Sequence, residues 1–140
     1  MTIENDTPRG DKAPRHHVHA IFAAVPDTIT RARHLLVRYL KAWGLTDLVL
    51  PLETAIGELL TNAIRHGRGP IELTMAALSD RIRVEVHDRG GGTPAIRPVH
   101  TSGPAIGGWG LRLVDHLTDA WGTHVTTGHT TVWVEQTIRG

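Results

Sequence analysis

ETAIGELLTNAIRHG, Glu53 to Gly67, is the stretch around which the rest of the chain is organised. At about 100° per residue, Leu52, Ile56, Leu59, Leu60 and Ala63 gather into one apolar stripe, the pattern of a helix packed against a core. Glu58 and Asn62 are neighbours at i and i+4 just beside that stripe, so an acid and an amide share one edge of the helix. Half in the core and half in a cleft, such a pair can serve both a hard cation and a proton-transfer step. On this helix alone, two solvated polar residues are the more natural reading, because charged side chains usually stay exposed. The segments downstream decide between the two.

Working outward, HVHAIFAAV (His17 to Val25) reads as a first strand that Pro26 ends, and Asp27 can cap the free amides of a helix. Ile29, Ala32, Leu36, Tyr39, Leu40 and Trp43 recur at helical spacing, and Gly44 supplies the stop. Thr46 or Asp47 can cap the next helix, in which Pro51 is tolerable only near the first turns. Beyond Gly67, Gly69 and Pro70, the segments Ile71 to Leu78 and Arg81 to Asp88 alternate with period two around a Ser79-Asp80 turn, predicting a hairpin. Arg89 to Trp109 is rich in glycine and proline and without hydrophobic period, longer than a simple connection needs. Gly110 to Gly122 then reads as a third helix with Leu111, Val114, Leu117 and Thr118 inward. THVTT and TTVWVEQTI, separated by Gly128-His129, close the chain as a hairpin.

Strands that are mostly hairpins, with helices grouped between them, predict an α+β two-layer sandwich: a mixed, mostly antiparallel sheet with helices on one face. Residues 1–15, polar and aperiodic, are expected to form a disordered arm, and residues 16–140 one domain. The 140 residues are 40% hydrophobic, enough to bury a core without a metal or a disulfide. There is no cysteine, which excludes thiolate metal sites and a cysteine nucleophile and suits the cytoplasm. No apolar run approaches the roughly 20 residues that span a bilayer. A formal charge of +1 from 15 Lys and Arg against 14 Asp and Glu is no nucleic-acid footprint, although RARHLLVR (Arg31 to Arg38) is locally basic. His16, His17 and His19 lie close together but lack a second ligand cluster, and zinc needs three or four convergent ligands.

Two more stretches carry chemistry. In HDRGGGTP, Asp88 stands at a strand end before three consecutive glycines, a floor on which a flat ligand meets no Cβ while the acid accepts from an exocyclic amine. In GGWGLRL, Gly107 to Leu113, a glycine cluster runs into a helix whose free amides and dipole favour an anion such as polyphosphate. No G-x-x-x-x-G-K-[ST] occurs, which excludes the P-loop route to phosphate binding.

E-x-x-x-N on a helix, D-x-G-x-G at a strand end and G-x-G-L opening a later helix, in this order, resemble the GHKL ATP-binding superfamily of gyrase, MutL and histidine kinases. The chain is most similar to the anti-sigma-factor serine/threonine kinase branch, over roughly Phe22 to Ile138. The resemblance implies that Glu58 is the general base and Asn62 the magnesium ligand, with Arg65 and His66 on the phosphate side. It implies that Asp88 reads adenine above a floor of Gly90 and Gly92. Gly107, Gly108, Trp109, Gly110 and Leu111 would hold phosphates at the end of a lid formed by about Thr93 to Ile106. Thr130 or Thr131 would back the adenine site, with Thr131 taken as the expected contact. Trp109 departs from the small or basic residue usual at its place, and Pro94, Pro98 and Pro104 put three prolines in the lid.

By the same resemblance the cofactors are ATP and Mg²⁺, and the partners a sigma factor and a STAS-type anti-sigma antagonist, with the chain a homodimer and neither nucleic acid nor membrane contacted. The implied activity is phosphorylation of a serine or threonine on the antagonist. Two alternatives stay open at this point: a non-catalytic, nucleotide-gated binding module, and a slow ATPase in which Glu58 activates water. An isolated histidine kinase catalytic domain fits less well, as no dimerisation-helix histidine motif is present.

Overall fold

The computed structural model describes residues 3–4, 14–66, 68–90 and 106–138. Within them the chain runs β1 (Ile3–Glu4), β2 (His16–Phe22), α1 (Asp27–Ala42), a 3-10 turn (Thr46–Leu48), α2 (Val49–His66), β3 (Ile71–Ala77), β4 (Arg81–Asp88), α3 (Ile106–Leu117), β5 (Ala120–Thr126) and β6 (His129–Thr137). The strands form one sheet in the order β1-β2-β3-β4-β6-β5, and every neighbouring pair is antiparallel. Helices cover one face, so the two-layer α+β sandwich holds, with a sheet antiparallel throughout the described strands.

Register explains why one face is core. Leu73 pairs with Val86, Met75 with Val84 and Ala77 with Ile82, so each buried residue of β3 meets a buried residue of β4. On the same face lie Val18, Ala20 and Phe22 of β2 and Thr130, Val132 and Val134 of β6. A one-residue slip of any strand would turn this whole set to the other side. Against it pack Ala32, Leu35, Leu36 and Leu40 of α1, Val114 of α3, and from α2 the complete stripe of Leu52, Ile56, Leu59, Leu60 and Ala63. Burying each large aliphatic side chain is worth about 1.5–3 kcal/mol, so α2 is the main adhesive between the layers.

Four boundaries differ from the sequence expectation. β2 stops at Phe22 rather than Val25, because the Ala23 carbonyl accepts from the Val25 amide and the Thr28 hydroxyl, turning the chain into α1. Asp27 sits in the first turn of α1 without capping it, its carboxylate 4.0 Å from Arg31 on the surface. α3 ends at Leu117, and Ala120 to Gly122, expected in that helix, belong to β5. There the Asp119 amide donates to the Glu135 carbonyl and its carboxylate accepts from the Thr137 amide at 2.6 Å, so pairing with β6 overrides the weak helical pattern. Ile3 and Glu4, in the expected arm, add an edge strand in register with Ala20 and His19.

Among the described residues no helix covers the other face of the sheet. Trp133 lies there over Gly122, where an added Cβ would come within 2.6 Å of the indole ring. The Arg83 guanidinium stands 4.1 Å from the ring centroid and pairs with Glu85 at 2.7 Å and Glu135 at 3.0 Å.

Candidate functional site

Three elements bring their ends together at one pole of the helix-covered face. The Arg68 carbonyl accepts from the Arg89 amide at 2.9 Å, which fixes the last turn of α2 beside the end of β4. β6 begins at the same pole, since Thr130 is in register with Asp88. α3 packs on α2, and its C-terminal end leads through Asp119 to the far end of β6, where Asp119 meets Glu135 and Thr137. The N-terminal turn of α3 therefore points back toward Asp88, Thr130 and the end of α2.

Asp88 is 2% exposed although it is the final residue of its strand. Alternation along β4 turns it to the core face, and the Gly90 amide donates to its Oδ1 at 2.6 Å. Burial raises its pKa above the ordinary 3.8, opposed in decreasing order by the Gly90 hydrogen bond, the charge of His87, a backbone hydrogen bond from Arg68 and the charge of His129. A desolvated carboxylate with backbone donors keeps capacity to accept another hydrogen bond. Thr130, its cross-strand partner, is fully buried and its hydroxyl has no partner among the described residues. Asn62, 5% exposed on α2, likewise has a buried Nδ2 without a partner among the described residues. Buried polar groups are nearly always paired, so these orphans next to a desolvated acid fit a polar ligand that enters between them.

Glu58, one turn before Asn62, is half-buried, and Arg65 is exposed at the end of α2. An amide oxygen beside a carboxylate can hold a hard cation whose other ligands are water and substrate oxygens. Among the described residues no three His, Asp or Glu side chains form a metal cluster. Gly107, Gly108, Trp109 and Gly110 lie inside the first turns of α3, which starts at Ile106, earlier than expected. With that start, the amides of Gly107 and Gly108 are among those that a helix leaves without internal partners, while those of Trp109 and Gly110 fall within the helical ladder, so the expected phosphate cradle is narrowed to the first turn. The side chains of His66, Trp109 and Leu111, and all of Gly92 and the expected lid Thr93 to Ala105, lie outside the described residues.

Thr131, the expected adenine contact, is not at this pole's core face. It is in register with His87 and hydrogen bonded to His87 Nδ1 at 2.7 Å, on the opposite side of the sheet. The cause is the two-residue period of the strand, which leaves Thr130 as the threonine beside Asp88. Arg68, whose backbone ties α2 to β4, was not singled out by any motif. The one signal for it is its place between Gly67 and the Gly69-Pro70 pair, where the chain must turn.

At the opposite pole a cavity of about 250 Å³ is lined by Gly44, Leu48, Asp119, Gln136 and Ile138 among others. Its Asp119 already accepts from the Thr137 amide, so it offers no comparable orphan.

The family model described as the histidine kinase-like ATPase domain matches residues 22–135. No curated protein matches the chain by sequence. Among solved structures, the RsbU and RsbW domains of Rv1364c from Mycobacterium tuberculosis superpose with a TM-score of 0.68 at 22% identity, over 89% of this chain and 32% of that one. The Acinetobacter baumannii histidine kinase AdeS superposes with a TM-score of 0.54 at 10% identity, over 87% of this chain and 68% of that one. The chain thus spans about a third of the length of the first. Both likenesses are of fold.

Proposed function

Because the chain belongs to the histidine kinase-like ATPase domain family, we propose that it binds ATP with Mg²⁺ and transfers a phosphoryl group to a serine or threonine of a partner protein. The observation that carries this reading is the buried pair of Asp88, desolvated yet with acceptor capacity to spare, and Thr130, whose hydroxyl has no partner among the described residues, at the pole where α2 and α3 present Asn62 and free helix amides. Asp88 accepts from the exocyclic amine of adenine, and the Thr130 hydroxyl supplies a second polar contact to the ring. Gly90 holds the Asp88 carboxylate in place through its amide. Asn62 holds Mg²⁺ through its side-chain oxygen, and the metal supplies screening of phosphate charge. The free amides of Gly107 and Gly108 in the first turn of α3 bind phosphate oxygens, which the α3 dipole favours. Glu58 takes the proton from the attacking hydroxyl.

The motif resemblance to anti-sigma-factor kinases, with a fold shared with the RsbW domain, supports a sigma factor and a STAS-type antagonist as the partners, a homodimeric state and a cytoplasmic setting. Among the described residues no helix is long and apolar enough to cross a membrane.

The test is incubation with γ-labelled ATP, Mg²⁺ and a purified antagonist. Acid-stable label on the antagonist, lost with Glu58→Gln while nucleotide affinity persists, supports phosphoryl transfer. Nucleotide-dependent capture of partners without label would replace it by a binding module, and label-free phosphate release by a slow ATPase. No heat with ATP and Mg²⁺ in a titration would end all three.

A further inference from the structure

The open face of the sheet gathers histidines. His17 and His19 of β2, His87 of β4, His124 of β5 and His129 of β6 all belong to it by strand alternation. Two of them meet: His87 Nε2 and His129 Nδ1 are 3.2 Å apart, with the rings inclined by 23° and their centroids 5.1 Å apart. The rings stack with an offset that brings these two nitrogens closer together than the centroids. Two imidazole nitrogens bound at about 2.0–2.1 Å to one tetrahedral metal ion stand about 3.3 Å apart, so the observed spacing already matches a shared ion.

The surroundings favour ligation at those two atoms. Thr131 Oγ1 lies 2.7 Å from His87 Nδ1, so it can accept the Nδ1 proton and leave the Nε2 lone pair directed at His129, the second-partner arrangement that orients metal-bound histidines. His129 is exposed, which leaves the remaining coordination positions to water. Around the pair stand Glu72 of β3, in register with His87 and bonded to His19 at 2.7 Å, and on β5 His124 and Thr126, in register with Thr131 and His129. The nearest carboxylate is thus already engaged, and no third side chain joins the pair among the described residues.

We propose that His87 and His129 chelate one divalent transition-metal ion of the nickel, copper and zinc class on the open face of the sheet. The site sits directly behind the strand pair that presents Asp88 and Thr130 on the other face. Imidazole suits these ions, and affinity follows the order in which copper exceeds nickel and zinc. Magnesium prefers oxygen and gains nothing here, so this site is separate from Asn62. Binding requires both nitrogens unprotonated, so protons compete with the metal.

Tag-free, full-length protein titrated calorimetrically with Ni²⁺, Cu²⁺ and Zn²⁺ at pH 7.5, without nucleotide, tests it. One ion per chain is expected at this site, weakened at least about 10-fold by either His87→Asn or His129→Asn, and about 10-fold by Thr131→Val through loss of orientation. Affinity falls at pH 5.5, and Mg²⁺ does not compete. Thermal melting checks that the variants fold, and His129→Asn, at an exposed position, carries the test if His87→Asn does not. Absence of binding by all three ions overturns the proposal. So does binding unchanged in His129→Asn, or binding abolished by substituting His16, His17 and His19 instead.

Discussion

Replacing Thr130 by valine separates a ligand contact from a structural hydroxyl, because the two roles change stability in opposite directions. Thr130 is fully buried, faces Asp88 across the β4–β6 ladder, and its hydroxyl has no partner among the described residues. A buried hydroxyl left unpaired costs about 1–3 kcal/mol, and valine has nearly the same shape, so Thr130→Val is expected to stabilise the free protein by about that amount. Each kcal/mol is about 2–8 °C in melting temperature for domains of this size range. Nucleotide binding changes the other way. Loss of one neutral hydrogen bond, about 0.5–1.5 kcal/mol, weakens affinity by about 2- to 12-fold. At ATP 100-fold above the wild-type Kd, ligand stabilisation of about 2.7 kcal/mol would drop to about 1.3–2.3 kcal/mol. Differential scanning fluorimetry with and without MgATP, backed by urea unfolding and calorimetric titration, reads both quantities. A variant less stable than wild type without ligand, or one with unchanged ATP affinity, would refute the assignment of Thr130 to the ligand.

Three further perturbations have defined outcomes. Glu58→Gln should leave the ATP dissociation constant within a few-fold of wild type while phosphoryl transfer, measured by label incorporation, falls by about 10²- to 10⁴-fold. Asp88 has a pKa raised by burial above 3.8, so its ionisation opposes folding: the penalty is absent below 3.8, grows as pH rises and is complete above the raised folded value. Asp88→Asn should therefore gain stability over wild type as pH increases from 4 toward neutrality, in denaturant melts across pH, yet bind ATP more weakly. Gly122→Ala would place a Cβ 2.6 Å from the Trp133 ring, displacing it from Arg83. Overpacking of that kind costs about 1–3 kcal/mol, read as a lower urea midpoint with ATP affinity unchanged.

The parts legible in the sequence were those where one period governs a whole element. Leu52, Ile56, Leu59, Leu60 and Ala63 recur at helical spacing and all are buried, and β4 runs from Arg81 to Asp88 as alternation required. Asn62 stood out just beside the apolar stripe of its helix and Asp88 at a strand end before three glycines, and the fold buries both. Boundaries set by tertiary hydrogen bonds were less legible. Ala120 to Gly122 carry no strong local preference, and the pairing of β5 with β6 settles them as strand. The choice between Thr130 and Thr131 needed the register with Asp88, a relation between two strands that local sequence does not contain. The edge strand at Ile3–Glu4 was hidden for the same reason, since it has no pattern of its own and exists through pairing with β2.

The close fit of Gly69 against Ala24 has a mechanical outcome. Any side chain at Gly69 would meet the Ala24 Cβ at 2.7 Å, and Arg68 next to it is bonded to Arg89, so the exit of α2 is held between the segment that follows β2 and the segment that follows β4. A side chain introduced at Gly69 must therefore push on the same link that fixes the exit of α2 beside the strand end carrying Asp88.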